Sequence, residues 1–295
     1  MTAAPRQLSA RPAGPRVPVA QLGEGPRWDA GGQSLYWVDI PAGYVHRLNE
    51  SGMHACWQVG QPVGAVAVRA TGGLLLAARE GFLALDQRSG AVSLLAAVET
   101  GRPDNRMNDG ACDRAGRMFA GTKAEDETPG AGTLYRLDPD HQVTTVLTGV
   151  TISNGIGWSP DESLMYYVDS PTRRIDVLDY DPATGAVAGR RTFAEITGGE
   201  AIPDGLTVDA EGCVWVALWD GGTVLRYSPG GQVAAIVTVP VPRPTSCAFG
   251  GPALDVLYIT TAAAGTRTDG TAGPGGELFA CRPGPAGLPA NPYRG

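Results

Sequence analysis

The stretch ISNGIGWSPDESLMYYVDS, residues 152–170, holds the unit from which the fold is read. Ser159-Pro-Asp-Glu has turn chemistry, Leu164–Asp169 is an apolar strand, and Arg174–Asp181 follows as its partner. The same unit recurs along the chain. Its apolar strands are Leu35–Asp39, Leu74–Ala78, Arg117–Gly121, Leu164–Asp169, Cys213–Leu218 and Val256–Thr260. The partner strands are Tyr44–Leu48, Gly81–Asp86, Gly132–Asp138, Arg174–Asp181, Gly222–Ser228 and Gly276–Cys281. Six hairpins with no credible ten-residue helix between them make the chain all-β.

The turn before each apolar strand sets a phase. Five residues before each turn stand Glu24, Gly64, Asn108, Asn154, Asp204 and Thr245, at intervals of 40, 44, 46, 50 and 41 residues. That period is the length of a four-stranded blade, about 40–50 residues. A blade cannot bury both of its own faces, so six of them predict a closed six-bladed β-propeller with four-stranded antiparallel blades. Residues 1–14 are expected to be a flexible leader and 15–295 a single propeller domain. Residues 15–20 are expected to supply a strand that closes the ring against the last blade.

Composition agrees. The 295 residues include 42 glycines and 24 prolines without a collagen-like period, which suits many tight turns between short strands. A net charge of −7 argues against a nucleic-acid partner, and no apolar run approaches the roughly 20 residues of a membrane span. The N-terminal residues carry arginines but no apolar central region, so they do not read as a secretory signal. Five widely spaced cysteines without a CxxC fit reduced thiols in a cytoplasmic protein better than a disulfide framework or a zinc site.

The phase positions begin the first strand of each unit, which lies innermost in a propeller. Four of them carry a metal-capable oxygen: Glu24, Asn108, Asn154 and Asp204. Asn-Gly and Asp-Gly are common turn dipeptides, but turn chemistry explains neither the shared phase nor the presence of a glutamate. Convergence on one axis explains both. Carboxylates and amide oxygens are hard donors, suited to Ca2+, Mg2+ or Mn2+. His46, His54 and His141 fall away from these positions and receive no role. No GxSxG nucleophile elbow or Ser–His pair is legible, so metal-assisted attack by water is the mechanism that suits the pattern. Arg106, two residues before Asn108, would share its face and orient a carbonyl or hydroxyl group; a solvated edge arginine is the competing reading. The acidic loop Ala124–Glu127 and the glycine-rich stretch Ala262–Gly276 are long enough to rim the channel. Trp219 could stack on a ligand, though core packing explains it as well.

The motifs LGEGPRWD (22–29), RMNDGACDRAGRMFAGT (106–122), ISNGIGWSPD (152–161), YYVDS (166–170), IPDGLTVDAEGCVWVA (202–217) and TSCAFGG (245–251), in this order, resemble the gluconolactonase, regucalcin and luciferin-regenerating-enzyme family. The resemblance covers nearly the whole chain after residue 14. It implies a six-bladed propeller and one divalent cation held by Glu24, Asn154 and Asp204. Ca2+ stands first, with Zn2+, Mn2+, Mg2+ and Fe2+ as alternatives. It also implies substrate contacts from Arg106 and Asn108, and proton transfer by Asp204. Family members with a second glutamate after Ala-Glu differ from this chain, which has Asp126 after Ala124-Glu125. That departure bears on the expected sugar-hydroxyl contact of Asp126.

The expected activity is hydrolysis of a small sugar lactone such as gluconolactone. Two other readings stay open. One is a related metal-dependent hydrolase of phosphotriesters or aryl esters. The other is a non-enzymatic calcium binder or scaffold, although a scaffold has no need of four polar residues in phase.

Overall fold

The computed structural model describes residues 4–14, 17–265 and 273–295. Six sheets form a ring, the six-bladed β-propeller that the repeat predicts. The innermost strands are Gly23–Asp29, Val63–Val68, Asn105–Cys112, Ser153–Trp158, Ile202–Val208 and Pro244–Gly250, one for each of blades one to six. Each packs beside the next, and the last packs on the first. Among the described residues there is no α-helix, only a short 3-10 turn at Ser170–Thr172. The read hairpins match the observed strands within a few residues, as with Leu74–Ala78 and Leu164–Asp169.

The second strand of a blade reads as an unbroken apolar run because both of its faces are covered. In Leu164–Asp169, Met165 and Tyr167 enter the cluster between blades three and four, whereas Tyr166 and Val168 enter the cluster between blades four and five. Successive side chains alternate faces, so a run buried on both sides cannot show a polar alternation. Six apolar clusters fill six seams. Among the described residues, the seam between blades six and one has the fewest core side chains, namely Trp28, Leu35, Trp37 and Leu278.

That seam is where the chain closes its ring, and there the structure corrects the expected leader. Arg6–Ser9 lies parallel to Val233–Thr238 as a fifth strand on blade five. Arg11–Pro12 pairs antiparallel with Phe279–Cys281 as the outer strand of blade six. Ala10 is buried between them, and Ala13 donates its N–H to the Leu278 carbonyl at 2.8 Å. The closing strand therefore comes from residues 11–12 rather than 15–20, of which 15 and 16 lie outside the described residues. Arginines and prolines hid these strands: both pair only at a sheet edge, where neither an apolar face nor every N–H is required.

Blade one adds a buried histidine pair on the same seam. His46 stacks on Trp37 with ring centroids 5.0 Å apart, and its Nδ1 lies 3.0 Å from His54 Nε2. Burial, and then the neighbouring His54, push the His46 imidazole down to about 4.

Two outcomes follow. Removing residues 1–12 should lower the melting temperature by more than about 5 °C, because it strips the outer strand from blade six; an unchanged melting curve would restore the leader reading. For His46, the unfolded chain binds the proton near pH 6.5 and the folded chain only near 4. Its contribution is thus complete above about 6.5 and disappears as the pH falls toward 4. Denaturant titrations of His46→Gln should lose on the order of 2 kcal/mol of pH dependence across that window.

Candidate metal and substrate site

Every inner strand is interrupted at one place. The register slips between Glu24 and Arg27, Val63 and Ala65, Met107 and Asp109, Ser153 and Ile156, Pro203 and Leu206, and Pro244 and Ser246. These β-bulges contain or adjoin all six phase residues. A bulge re-aims a side chain and leaves its residue out of the ladder. Asn154-Gly155 and Asp204-Gly205 are therefore bulges, not turns. The glycines let neighbouring inner strands touch: a Cβ on Gly155 would stand 2.6 Å from the Leu206 nitrogen, and one on Gly205 would collide with Ser246.

Two further carboxylates hold the entries to these strands. Asp39 accepts the N–H groups of Gln21 (2.9 Å) and Leu22 (3.1 Å), and Asp169 accepts those of Thr151 and Ile152 (2.9 Å to the latter). Leu22 and Ile152 each stand two residues before a phase residue, Glu24 and Asn154. The aspartate that ends each of these apolar strands thus fixes where the functional side chain of its own blade emerges.

Glu24, Asn108, Asn154 and Asp204 are all buried. Glu24 and Asn154 both lie near enough to bear on the Asp204 carboxyl, which brings blades one, four and five together at the axis. Asn108 Nδ2 donates to Asn154 Oδ1 at 3.2 Å and to the Ser153 carbonyl at 2.9 Å, joining blade three. Asn154 Nδ2 donates to Ser170 Oγ at 2.8 Å. Arg106 Nη1 donates to Asn108 Oδ1 at 2.7 Å and to the Met107 carbonyl at 3.0 Å. Arg106 is buried, not the solvated edge arginine of the competing reading. Thr245 instead spends its hydroxyl on the Gly23 carbonyl at 2.6 Å.

The electrostatics are those of crowded like charges. Burial, then Asp204 and Asp109, raise the Glu24 carboxyl well above its usual range. Burial and Asp109 raise that of Asp204, against the opposing charge of Lys123. Two buried neighbouring carboxylates cannot both stay ionised without a counter-charge. Among the described residues neither forms a salt bridge. Hard oxygens, like charge and missing counter-charge suit a divalent cation, with Glu24, Asp204 and the second lone pair of Asn154 Oδ1 as donors.

Asp126 follows Glu125 on the loop beyond the second strand of blade three. It is exposed, and its carboxylate accepts the Thr128 N–H at 3.0 Å and the Thr128 hydroxyl at 2.8 Å. Glu125, not Asp126, reaches Arg106, at 3.3 Å. Trp219 carries the Arg243 guanidinium over its ring at 4.7 Å. Of the expected rim stretch 262–276, residues 266–272 lie outside the described residues. Sequence reasoning gave no individual role to three charged groups near the cluster. Asp109 is buried, takes the Gly110 N–H at 2.7 Å and faces Arg27 at 3.7 Å; its adjacency to Asn108 was the available signal. Glu125 fell within the acidic loop expected to rim the channel, but Lys123 had no signal, since only strand register sets it opposite Arg106.

Two other features are not this site. A cavity of about 480 Å3 opens at the opposite end of the channel, lined by Trp28, Trp158, Phe249 and residues 288–292, and it includes none of the four axial residues. The acidic group Asp209, Glu211 and Cys213 is already neutralised by Arg226, which lies 2.7 Å from Asp209 and 2.5 Å from Glu211. Asp209 also accepts the Cys213 N–H and the Trp215 indole N–H, which makes it a turn anchor.

The family described as SMP-30/Gluconolactonase/LRE-like region matches residues 22–263. Regucalcin of Bos taurus is 39% identical over 283 residues, covering 92% of this chain and 95% of the relative. Among solved structures, a calcium-binding protein, regucalcin, from Agrobacterium tumefaciens superposes with a TM-score of 0.92 at 29% identity, covering 99% of this chain and all of that one. A luciferin-regenerating enzyme gives a TM-score of 0.87 at 30% identity, over 94% of this chain and 96% of that one.

Relief of the carboxylate repulsion is measurable without any substrate. In chelator at pH 7, Asp204→Asn should melt about 2 °C or more above the unsubstituted protein. Added Ca2+ or Mn2+ should raise the melting temperature of the latter and leave the variant unmoved. A variant that still gains stability from the cation would remove Asp204 from the donor set.

Proposed function

This chain belongs to the SMP-30/gluconolactonase/LRE-like family, and from that premise we propose that it is a metal-dependent hydrolase opening a small sugar lactone such as gluconolactone. The observation that carries the reading is the buried convergence of Glu24, Asn154 and Asp204 at the axis, with Arg106 and Asn108 beside it. Glu24, Asn154 and Asp204 would hold one divalent cation, with Ca2+ first in view of the hard donors. Bound there, such a cation supplies Lewis-acid stabilisation of the charge that develops on a lactone carbonyl oxygen.

The residues of the chain divide the remaining work. Water attacks the acyl carbon, and Asp204 takes its proton. Burial beside Asp109 raises the Asp204 carboxyl in the metal-free chain, a shift that a bound cation would oppose. The same proton goes to the ring oxygen as the acyl C–O bond breaks. Arg106 is braced by Asn108 and the Met107 carbonyl, so its other N–H groups are preset to receive sugar oxygens. Asn108 orients both Arg106 and Asn154. Asp126 accepts the Thr128 hydroxyl and keeps further lone pairs for a sugar hydroxyl. The five free thiols, three of them buried, fit a reducing, cytoplasmic setting. The calcium-binding relative supports a second reading, in which the same cluster binds the cation without turnover.

The test is a panel of aldonolactones, an aryl ester and a phosphotriester, assayed with chelated and cation-loaded protein. Lactone opening that depends on the cation is the expected result; cation binding without turnover of any substrate favours the second reading. Asp204→Ala should lose roughly 10²–10⁴-fold in kcat, the usual worth of a general base, and excess metal should not restore it. Arg106→Ala should raise KM with little change in kcat, the mark of uniform binding. Near-normal kcat in Asp204→Ala, or loss of the metal in Arg106→Ala, overturns the scheme.

A further inference from the structure

Lys123 is a buried cation that the scheme above does not use. It sits in the second strand of blade three, Met118–Ala124, directly opposite Arg106 in the antiparallel register. Directly opposed residues share a face of the sheet, and this face abuts blade four: Asn108 reaches the Ser153 carbonyl from it, and Lys123 bridges Ile152. Arg106 and Lys123 thus stand side by side at the channel end where Glu24, Asn154 and Asp204 meet. The charge of Lys123 reaches that cluster, since it favours the ionised form of Asp204.

The lysine side chain is only 10% exposed. Among the described residues its single hydrogen bond is to Glu127 Oε1 at 2.6 Å, although an ammonium has three donors. Glu127 itself is 57% exposed, on the loop that follows the strand. Arg106 has the same arrangement with Glu125, which is 43% exposed. Lysine is almost never buried without a partner, and a neutral sugar gives a desolvated ammonium nothing that water would not. A ligand carboxylate does, because it replaces Glu127 charge for charge and lies within reach of both cations.

We propose that this site selects lactones bearing a carboxylate, the monolactones of aldaric acids, over neutral aldonolactones, with Lys123 beside Arg106 reading the extra negative charge. The inference rests on the lactonase reading and narrows its substrate class. The rival account makes Lys123 a tether for the 124–131 loop through Glu127, in which case loosening the pair harms every substrate alike.

The experiment pairs binding with turnover on the cation-loaded full chain. Calorimetry compares the ring-opened dicarboxylate of an aldarolactone with the corresponding monocarboxylate aldonate, and kinetics compares the two lactones. The dicarboxylate should bind at least about tenfold more tightly, about 1.4 kcal/mol, and the acidic lactone should show the higher kcat/KM. Lys123→Met should cut the acidic-to-neutral ratio about tenfold or more, Lys123→Arg should keep most of it, and Glu127→Gln should raise it. Equal losses on both ligands in Lys123→Met, or a ratio near one in the unsubstituted protein, overturns the proposal. Charge-selective binding without turnover of any lactone overturns the lactonase reading and with it the lactone class proposed here, leaving only the charge-reading role of Lys123; turnover without charge preference overturns this proposal alone.

Discussion

One extra residue in each inner strand makes the centre of this molecule functional. A regular strand would point alternate side chains into the seams on either side, and none down the axis. The bulges at Glu24, Asn108, Asn154 and Asp204 break that alternation and turn four polar groups from four blades inward. Asp39 and Asp169 hold two of those strands at their entry, and glycines 155 and 205 let the backbones close in. The seams tolerate the interruption because the second and third strands and the part of the inner strand beyond the bulge, such as Ile156, Trp158, Leu206 and Val208, still carry apolar side chains into them.

Convergence has an electrostatic cost, and the charges around the axis are arranged against it. Three buried carboxylates, Glu24, Asp109 and Asp204, face one partial counter-charge in Arg27. Arg106 and Lys123 stand on the blade-three side, each tied to a glutamate that remains in solvent. The same field that makes Glu24 and Asp204 reluctant to ionise makes a cation welcome between them. The exposed partners of the two basic side chains are exchangeable for an anionic ligand at little net change in charge. Pairs with one partner in water are weak as structure, which suits groups that must trade partners.

Ring closure is the other structural constraint. A propeller with an unpaired outer strand exposes an edge, and here the edge on blade six is covered by residues from the opposite end of the chain. The sparse seam between blades six and one gains Ala13 and Val17 from that segment. His46 stacks on Trp37 against the same seam, with His54 tilted beside it, so titration of blade one is coupled to the place where the ring is joined.

The six hairpins, their period and the family were legible because a blade is a local unit: turn chemistry and apolar runs such as Leu164–Asp169 are written in contiguous residues. So were Glu24, Asn154 and Asp204 as candidates, since phase is a property of the repeat. The expected leader failed for the opposite reason. Arg6–Ser9 and Arg11–Pro12 are strands only because Val233–Thr238 and Phe279–Cys281 offer them edges, more than 200 residues away. Asp126, expected at the substrate, accepts the Thr128 N–H and hydroxyl from an exposed loop, a local contact that the repeat does not foretell. Lys123 gave no sign at all. Its meaning comes from an antiparallel register that sets it against Arg106 and from the blade packed over it. The sequence by itself determined which residues could share an axis; the closed ring decided which charges meet there, because proximity between blades is fixed by packing and not by chain order.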